Sequence, residues 1–272
     1  MNVYIWTSWL KNAYIGEVLL WNWDLSKASS SNRKSATVSY TWWYWYGWLL
    51  SSDWTIYTVQ YWEVGYTDQY RLSTAWDITT IGSSFYSMSR PSWTWNSYNG
   101  ACFGKNWEIF LSRYSNWTFV KYNLSTPWLL STRDGWTQMT IWDVSGAAEA
   151  YCFSEDGTKF IYSNDRNKKL AQSTNTAWSV TWTWTVILTG TDLSRWTFDT
   201  YWDYFYLMYK NSTIKKYKLP NKYDLTGMTE QQSISLWISS SCTWLAFDTL
   251  WNNMYILVQW YSTQTIYQYT LN

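Results

Sequence analysis

The residues able to do chemistry are few. Histidine is absent from all 272 residues, which removes imidazole bases, imidazole metal ligands and Ser-His-Asp triads together. The thiols Cys102, Cys152 and Cys242 are too few and too far apart for a disulfide framework or a zinc cluster. Cys102 and Cys152 each precede a phenylalanine, Phe103 and Phe153, and are expected as small apolar residues of inner strands. Acids remain, since an Asp and a Glu brought together by folding can cleave a glycosidic bond. Yet Asp24, Asp53, Asp77 and Asp156 stand at repeated positions, which favours holding turns over catalysis. The seven arginines, from Arg33 to Arg195, fall at different repeat phases and form no readable cluster. No catalytic, cofactor or metal residue is assigned, and ligand-binding residues stay open.

Other groups invite a binding role. Trp42-Trp43-Tyr44-Trp45-Tyr46 resembles an aromatic platform for sugars or bases. Lys210, Lys215, Lys216, Lys218 and Lys222 read as a solvated blade edge that discourages edge pairing. Asn116-Trp117-Thr118 and Asn123-Leu124-Ser125 match glycosylation acceptors formally, but motifs this short arise by chance. With 14% charged residues and a net charge of +1, nothing tracks a phosphate backbone, so no nucleic-acid partner is expected. At 47% hydrophobic the chain is not a disordered tail. Residues 1–20 lack the basic start of a signal peptide, and the apolar run 42–50 is too short to cross a bilayer. No membrane insertion is expected, and export would depend on something else, such as assembly into a virion.

What positions these residues is a repeat. Ser52-Asp53-Trp54-Thr55-Ile56-Tyr57 returns as Lys105-Asn106-Trp107-Glu108-Ile109-Phe110 and Glu155-Asp156-Gly157-Thr158-Lys159-Phe160. It returns again as Thr200-Tyr201-Trp202-Asp203-Tyr204-Phe205 and Thr249-Leu250-Trp251-Asn252-Asn253-Met254-Tyr255. The third residue recurs at spacings of 53, 50, 45 and 49, with an apolar anchor four residues earlier: Leu50, Phe103, Phe153, Phe198 or Phe247. A second phrase, Tyr70-Arg71-Leu72-Ser73-Thr74-Ala75-Trp76-Asp77, returns at Tyr122, Tyr217 and Tyr269. A degraded copy ending in Trp178 puts Gln172 in the Tyr slot. The chain opens on a cut-short copy, in which Asn2-Val3-Tyr4-Ile5 parallels Asn253-Met254-Tyr255-Ile256, and Trp23-Asp24-Leu25-Ser26 parallels Trp76-Asp77-Ile78-Thr79. The first copy therefore lacks its opening strand and the last its closing one. Residues 1–272 read as one domain, with 1–40 an incomplete first repeat or an N-terminal hairpin segment.

Composition is skewed to 27 Trp against 11 Gly and 3 Pro. Average usage predicts about 19 Gly and 14 Pro. Gly157 follows Asp156 where Trp54, Trp107, Trp202 and Trp251 stand in other copies, and Asp-Gly there signals a turn needing positive φ. Asn116-Trp117 likewise sits where Asn-Gly would suit. Trp76, Trp128 and Trp178 share a slot in which no copy has Gly. The expectation is that the gene reads UGA as glycine, as some bacterial lineages and their phages do, and that the chain carries Trp at those codons. The alternative is a Trp-rich β protein whose turns tolerate aromatics.

Short period-two runs about ten residues apart, such as Thr55-Ile56-Tyr57-Thr58-Val59, predict antiparallel meanders, and no window predicts a helix. Four strands per unit of about 50 residues predict an all-β propeller of four-stranded antiparallel blades. Six blades are expected, with five to seven allowed; an open stack of sheets is the alternative. The Phe anchors should fill the gaps between inner strands.

Phe153-Ser154-Glu155-Asp156-Gly157-Thr158-Lys159-Phe160, Leu72-Ser73-Thr74-Ala75-Trp76-Asp77-Ile78-Thr79 and Ile266-Tyr267-Gln268-Tyr269-Thr270-Leu271 resemble the β-propeller repeats of phage tail and bacterial surface proteins. The resemblance covers residues 40–272 well and 1–40 loosely, and departs mainly at Gly positions. It implies a non-catalytic binding or structural module that engages a cell-surface glycan or protein through propeller loops. It places the protein outside the cell or on a virion, and it carries over no catalytic residue and no cofactor. A propeller enzyme acting on carbohydrate and an intracellular interaction scaffold are the alternatives.

Overall fold

The computed structural model describes residues 25–28, 30–39, 45–51, 55–61, 66–75, 77–89, 101–104, 108–113, 118–140, 148–154, 156–164, 168–176, 179–189, 193–198, 203–236, 238, 242–247, 253–259 and 263–271. Strand β1 (Arg33–Ser39) is the first strand among the described residues. Blade 1 follows as β2 (Trp45–Leu50), β3 (Ile56–Tyr61), β4 (Tyr66–Leu72) and β5 (Ile81–Ser89). Blade 2 is β6 (Ala101–Gly104), β7 (Ile109–Arg113), β8 (Thr118–Leu124) and β9 (Arg133–Thr140). Blade 3 is β10 (Ala148–Phe153), β11 (Lys159–Asn164), β12 (Lys169–Thr176) and β13 (Ser179–Thr189). Blade 4 is β14 (Leu193–Phe198), β15 (Tyr204–Tyr209), β16 (Thr213–Lys218) and β17 (Thr229–Ser235). Blade 5 takes β18 (Cys242–Phe247), β19 (Asn253–Gln259) and β20 (Thr263–Thr270) from the end of the chain.

The fourth strand of blade 5 is β1, paired antiparallel with β20 from Arg33 opposite Tyr269 to Ser39 opposite Thr263. The two incomplete copies complete one another, which is why the described residues form five blades rather than six. The innermost strands adjoin in sequence, β2 to β6, β10, β14 and β18, and β18 returns to β2. The described residues form a closed five-bladed propeller, not an open stack.

One blade cannot bury both of its faces alone, and the core shows the remedy. Five apolar clusters each straddle one seam between neighbouring blades. Along β15, Phe205 and Leu207 enter the seam with blade 3, while Tyr206 and Met208 enter the seam with blade 5. Along β19, Met254, Ile256 and Val258 face blade 4, and Tyr255 and Leu257 face blade 1. Successive side chains point to opposite faces. A strand buried on both faces therefore reads as a continuous apolar run, each side chain stabilising by about 1.5–3 kcal/mol. The anchors Phe103, Phe153, Phe198 and Phe247 fill seams as expected.

One register is corrected. Tyr70 lies opposite Tyr57, Tyr122 opposite Phe110, Tyr217 opposite Phe205 and Tyr269 opposite Met254, and the equivalent partner of Phe160 is Ser173. Gln172 belongs one position earlier, with Gln69 and Gln268. A ladder irregularity between Ser173 and Asn175 makes counting back from Trp178 miss by one.

Candidate functional site

Because each blade is a meander, its first-to-second and third-to-fourth connections lie at one end of the ring. The other two kinds lie at the opposite end. At the first end the first-to-second turns are uniform, whereas the third-to-fourth connections run through residues 73–80, 125–132, 177–178 and 219–228, from two residues to ten. The first-to-second turns span residues 51–55, 105–108, 154–158, 199–203 and 248–252, four or five each. In blade 3, Ser154 Oγ accepts from Lys159 N at 2.9 Å, and Asp156 Oδ1 accepts from Ser154 Oγ, Thr158 N and Thr158 Oγ1 at 2.6, 3.0 and 2.8 Å. Gly157 sits at φ +71°, the left-handed region that Asp-Gly predicted. Burial would raise the Asp156 carboxyl, but the Ser154 and Thr158 donors outweigh it and hold it below the usual range. Asp77 caps the short helical turn Ile78–Thr80, and the Thr79 donors hold its carboxyl low. These two acids hold turns, as their repetition suggested. Asp24 and Asp53 lie outside the described residues, as do Trp54, Trp107, Trp202 and Trp251.

At the same end the third-to-fourth connections of blades 2 and 4 dock on the preceding blade through an amide that the sequence reading did not assign. Gln69 Oε1 of blade 1 accepts from Leu130 N of blade 2 at 3.0 Å, while its Nε2 donates to Trp128 O at 2.7 Å and Thr58 Oγ1 at 3.0 Å. Gln172 Oε1 accepts from Leu225 N of blade 4 at 2.9 Å, and its Nε2 donates to Asp224 Oδ1 at 2.7 Å. In blade 4 Lys216 takes the slot, and Gln232, directly opposite it on β17, accepts from Leu25 N at 3.0 Å. Recurrence of Gln-Tyr at 69–70 and 268–269 was the available signal.

The docked turns are tight. Thr126 O accepts from Leu129 N, and Asn221 O from Asp224 N, both at 3.2 Å. Their third residues, Trp128 and Tyr223, sit at φ +66° and +64°. Aromatic residues thus do occupy left-handed turn positions in this repeat. Trp128 is 7% exposed and its ring lies 4.5 Å from that of Phe103, so seam packing offsets the left-handed penalty of about 1–2 kcal/mol.

At the opposite end the second-to-third connections are uniform at three or four residues, and the fourth-to-first connections differ from blade to blade. The latter run through residues 40–44, 90–100, 141–147, 190–192 and 236–241, from three residues to eleven. The platform residues Trp42, Trp43 and Tyr44 lie outside the described residues, whereas Trp45 and Tyr46 open β2. The basic group is not a solvated edge. β16 is an interior strand, and Lys216 is 1% exposed with its ammonium 4.3 Å from the Tyr204 ring centroid. Lys215 pairs with Glu230 at 2.8 Å, while Lys210 and Lys222 are exposed. Cys102 and Cys152 line inner strands as expected, Cys102 buried and Cys152 half-buried. Among the described residues, no group of three or more His, Cys, Asp or Glu is placed to hold a metal ion, and no helix is long and apolar enough to cross a membrane.

No protein-family model and no curated protein matches the chain. Solved structures do. A protein of unknown function from Desulfotomaculum acetoxidans is 11% identical with a TM-score of 0.48, over 79% of this chain and 63% of that one. The Cps50 (Swd1) β-propeller domain of Myceliophteria thermophila is 9% identical with a TM-score of 0.47, over 79% and 68%. A proposed 6-phosphogluconolactonase from Bacteroides uniformis is 12% identical with a TM-score of 0.48, over 83% and 67%. The chain thus spans less than two thirds of the first of these.

Proposed function

We propose that this propeller is a non-catalytic binding or structural module of a phage tail or cell surface, engaging a glycan or protein through the end of the ring that carries the fourth-to-first connections. The observation that carries this reading is the variation of those connections, from three to eleven residues, on a constant frame, a usual place for recognition on a rigid scaffold. At the other end Asp77, Asp156 and Asp224 spend their oxygens on turn and seam donors. A glycan array and a reducing-sugar assay on the same preparation test it. Specific binding without turnover is expected, and sugar release overturns it in favour of a carbohydrate enzyme. Capture of a cytosolic protein with no surface ligand favours the scaffold instead.

We also propose that Trp54, Trp107, Trp117, Trp202 and Trp251 stand where the natural protein has glycine. Gly157 has positive φ in the first of these slots, and Lys168 and Ser212, at φ +47° and +63°, hold the position matching Trp117 just before the third strand. Trp128 and Tyr223 hold aromatic left-handed turns elsewhere in the repeat. UGA codons at the five positions are expected; UGG at all of them refutes the idea. Trp117→Gly should raise stability by about 1 kcal/mol, and a lower melting temperature counts against it.

A further inference from the structure

Cys102 and Cys152 take the same position on the innermost strands of blades 2 and 3, each one residue before its Phe anchor. In the other blades that position holds Leu49, Thr197 and Ala246, so only this seam brings two thiols to it. The strands adjoin near the ring axis, where inner strands converge. The sulfurs interlock. Phe153 N–H donates to Cys102 Sγ, and Cys152 Sγ lies 3.9 Å from the Phe103 carbonyl oxygen. Each sulfur thus lies against the backbone that follows the other cysteine across the seam. Cys152 packs against the clusters on both faces of its blade and is partly open to solvent, whereas Cys102 is 4% exposed.

We propose that Cys102 and Cys152 are the two halves of an inter-blade disulfide, formed by exchange with a small-molecule disulfide. Cys152, the reachable thiol, loses its proton to solvent and attacks one sulfur of the oxidant. The oxidant S–S bond breaks, and the first oxidant thiolate leaves and takes up a proton. Cys102 then loses its proton and attacks Cys152 Sγ in the mixed disulfide, expelling the second oxidant thiolate. One protein S–S bond has formed, two protein thiols are oxidised, and the oxidant is reduced to two thiols. Burial first, and then the neighbouring thiol, push the Cys102 pKa up, so this second step quickens at alkaline pH. The product ties β6 to β10, and the loop it closes contains the remaining three strands of blade 2. Such a loop constrains the unfolded chain more than the folded one.

The test uses the full chain, reduced and then incubated with oxidised glutathione. Free thiols are alkylated under denaturing conditions before intact-mass and peptide analysis. The expected product has lost the mass of two hydrogens, yields one linked peptide pair containing Cys102 and Cys152, and carries alkylated Cys242. Its melting temperature rises by several degrees and returns on reduction. Cys152→Ser should give neither linkage nor rise, and Cys242→Ser should give both. Glutathione held on Cys152 without linkage, three alkylated cysteines, or a linkage through Cys242 each overturn the proposal. Peptide analysis of the unsubstituted chain decides the matter even if Cys152→Ser folds poorly.

Discussion

At the seam between blades 3 and 4, Gln172 uses both ends of its amide, bridging to the Leu225 amide and the Asp224 carboxylate. At the seam between blades 5 and 1 the same slot holds Gln268, 5% exposed, whose Oε1 has no hydrogen-bond partner. There the blades are joined by apolar packing and by a long Lys34–Asp77 contact of 4.0 Å. One repeat thus makes two differently fastened seams. The difference matters because the second seam lies beside the blade built from both parts of the chain. Buried polar atoms without partners cost stability, and this seam lacks the amide clasp that fastens blade 3 to blade 4.

The comparison can be broken most severely at blade 5. Removing residues 1–39 deletes β1 and bares the β20 edge. Losing a fully paired strand should cost several kcal/mol, a large share of an ordinary domain stability of about 5–15 kcal/mol. Calorimetry should show the loss of a cooperative transition, and a normal transition would contradict the closed ring. Next come Gln172→Leu and Gln69→Leu, which strand the backbone amides of Leu225 and Leu130, both 0% exposed. Each should lower stability by about 1–3 kcal/mol in urea titrations.

Gln268→Leu sharpens the contrast. It removes an unpartnered oxygen and should change stability by less than ~1 kcal/mol. If it cost as much as Gln172→Leu, the two seams would be equivalent after all. Acid provides a graded probe. Burial would raise the Asp224 carboxyl, but the Thr226 and Gln172 donors outweigh it, so its folded pKa lies below the ordinary 3.8. Asp77 and Asp156 are lowered too. Depressed carboxyls stabilise fully above their unfolded pKa, and that stability is lost as pH falls through the folded value. The urea midpoint should therefore hold near neutrality and fall once pH drops below about 4. Asp224→Asn should flatten that fall. The smallest effect is Lys34→Ala, under ~0.5 kcal/mol for so exposed a pair, and nearly erased in about 1 M salt.

The architecture was legible because seam-filling residues recur: the Phe anchors and the Asp-Gly turn carry the repeat in their types. Blade number was less so, since counting copies cannot reveal that an opening fragment and a closing fragment share one sheet. The amide clasps were missed because Gln69 and Gln172 look like ordinary polar strand residues until the ring folds. A one-residue ladder irregularity had also hidden Gln172 among the tyrosines. Lys216 misled for the opposite reason, since a run of lysines suggests solvent while β17 covers that strand. The ligand was not legible, because the fourth-to-first connections, to which we assign recognition as a proposal, follow no repeat.

The pairing of Arg33 with Tyr269 joins residues from nearly opposite ends of the described sequence. Blades 1 to 4 need only neighbouring hairpins to zip, a local and rapid search. The last sheet must wait for its outer strand to return across the whole intervening chain. Such distant encounters add little to the entropic cost of closure but much to the time it takes. Refolding should accordingly run in two stages, fast for the contiguous meanders and slow for the final join. During that delay the waiting edge is open to the same strand of another molecule, and crowding a refolding solution should yield exchanged dimers.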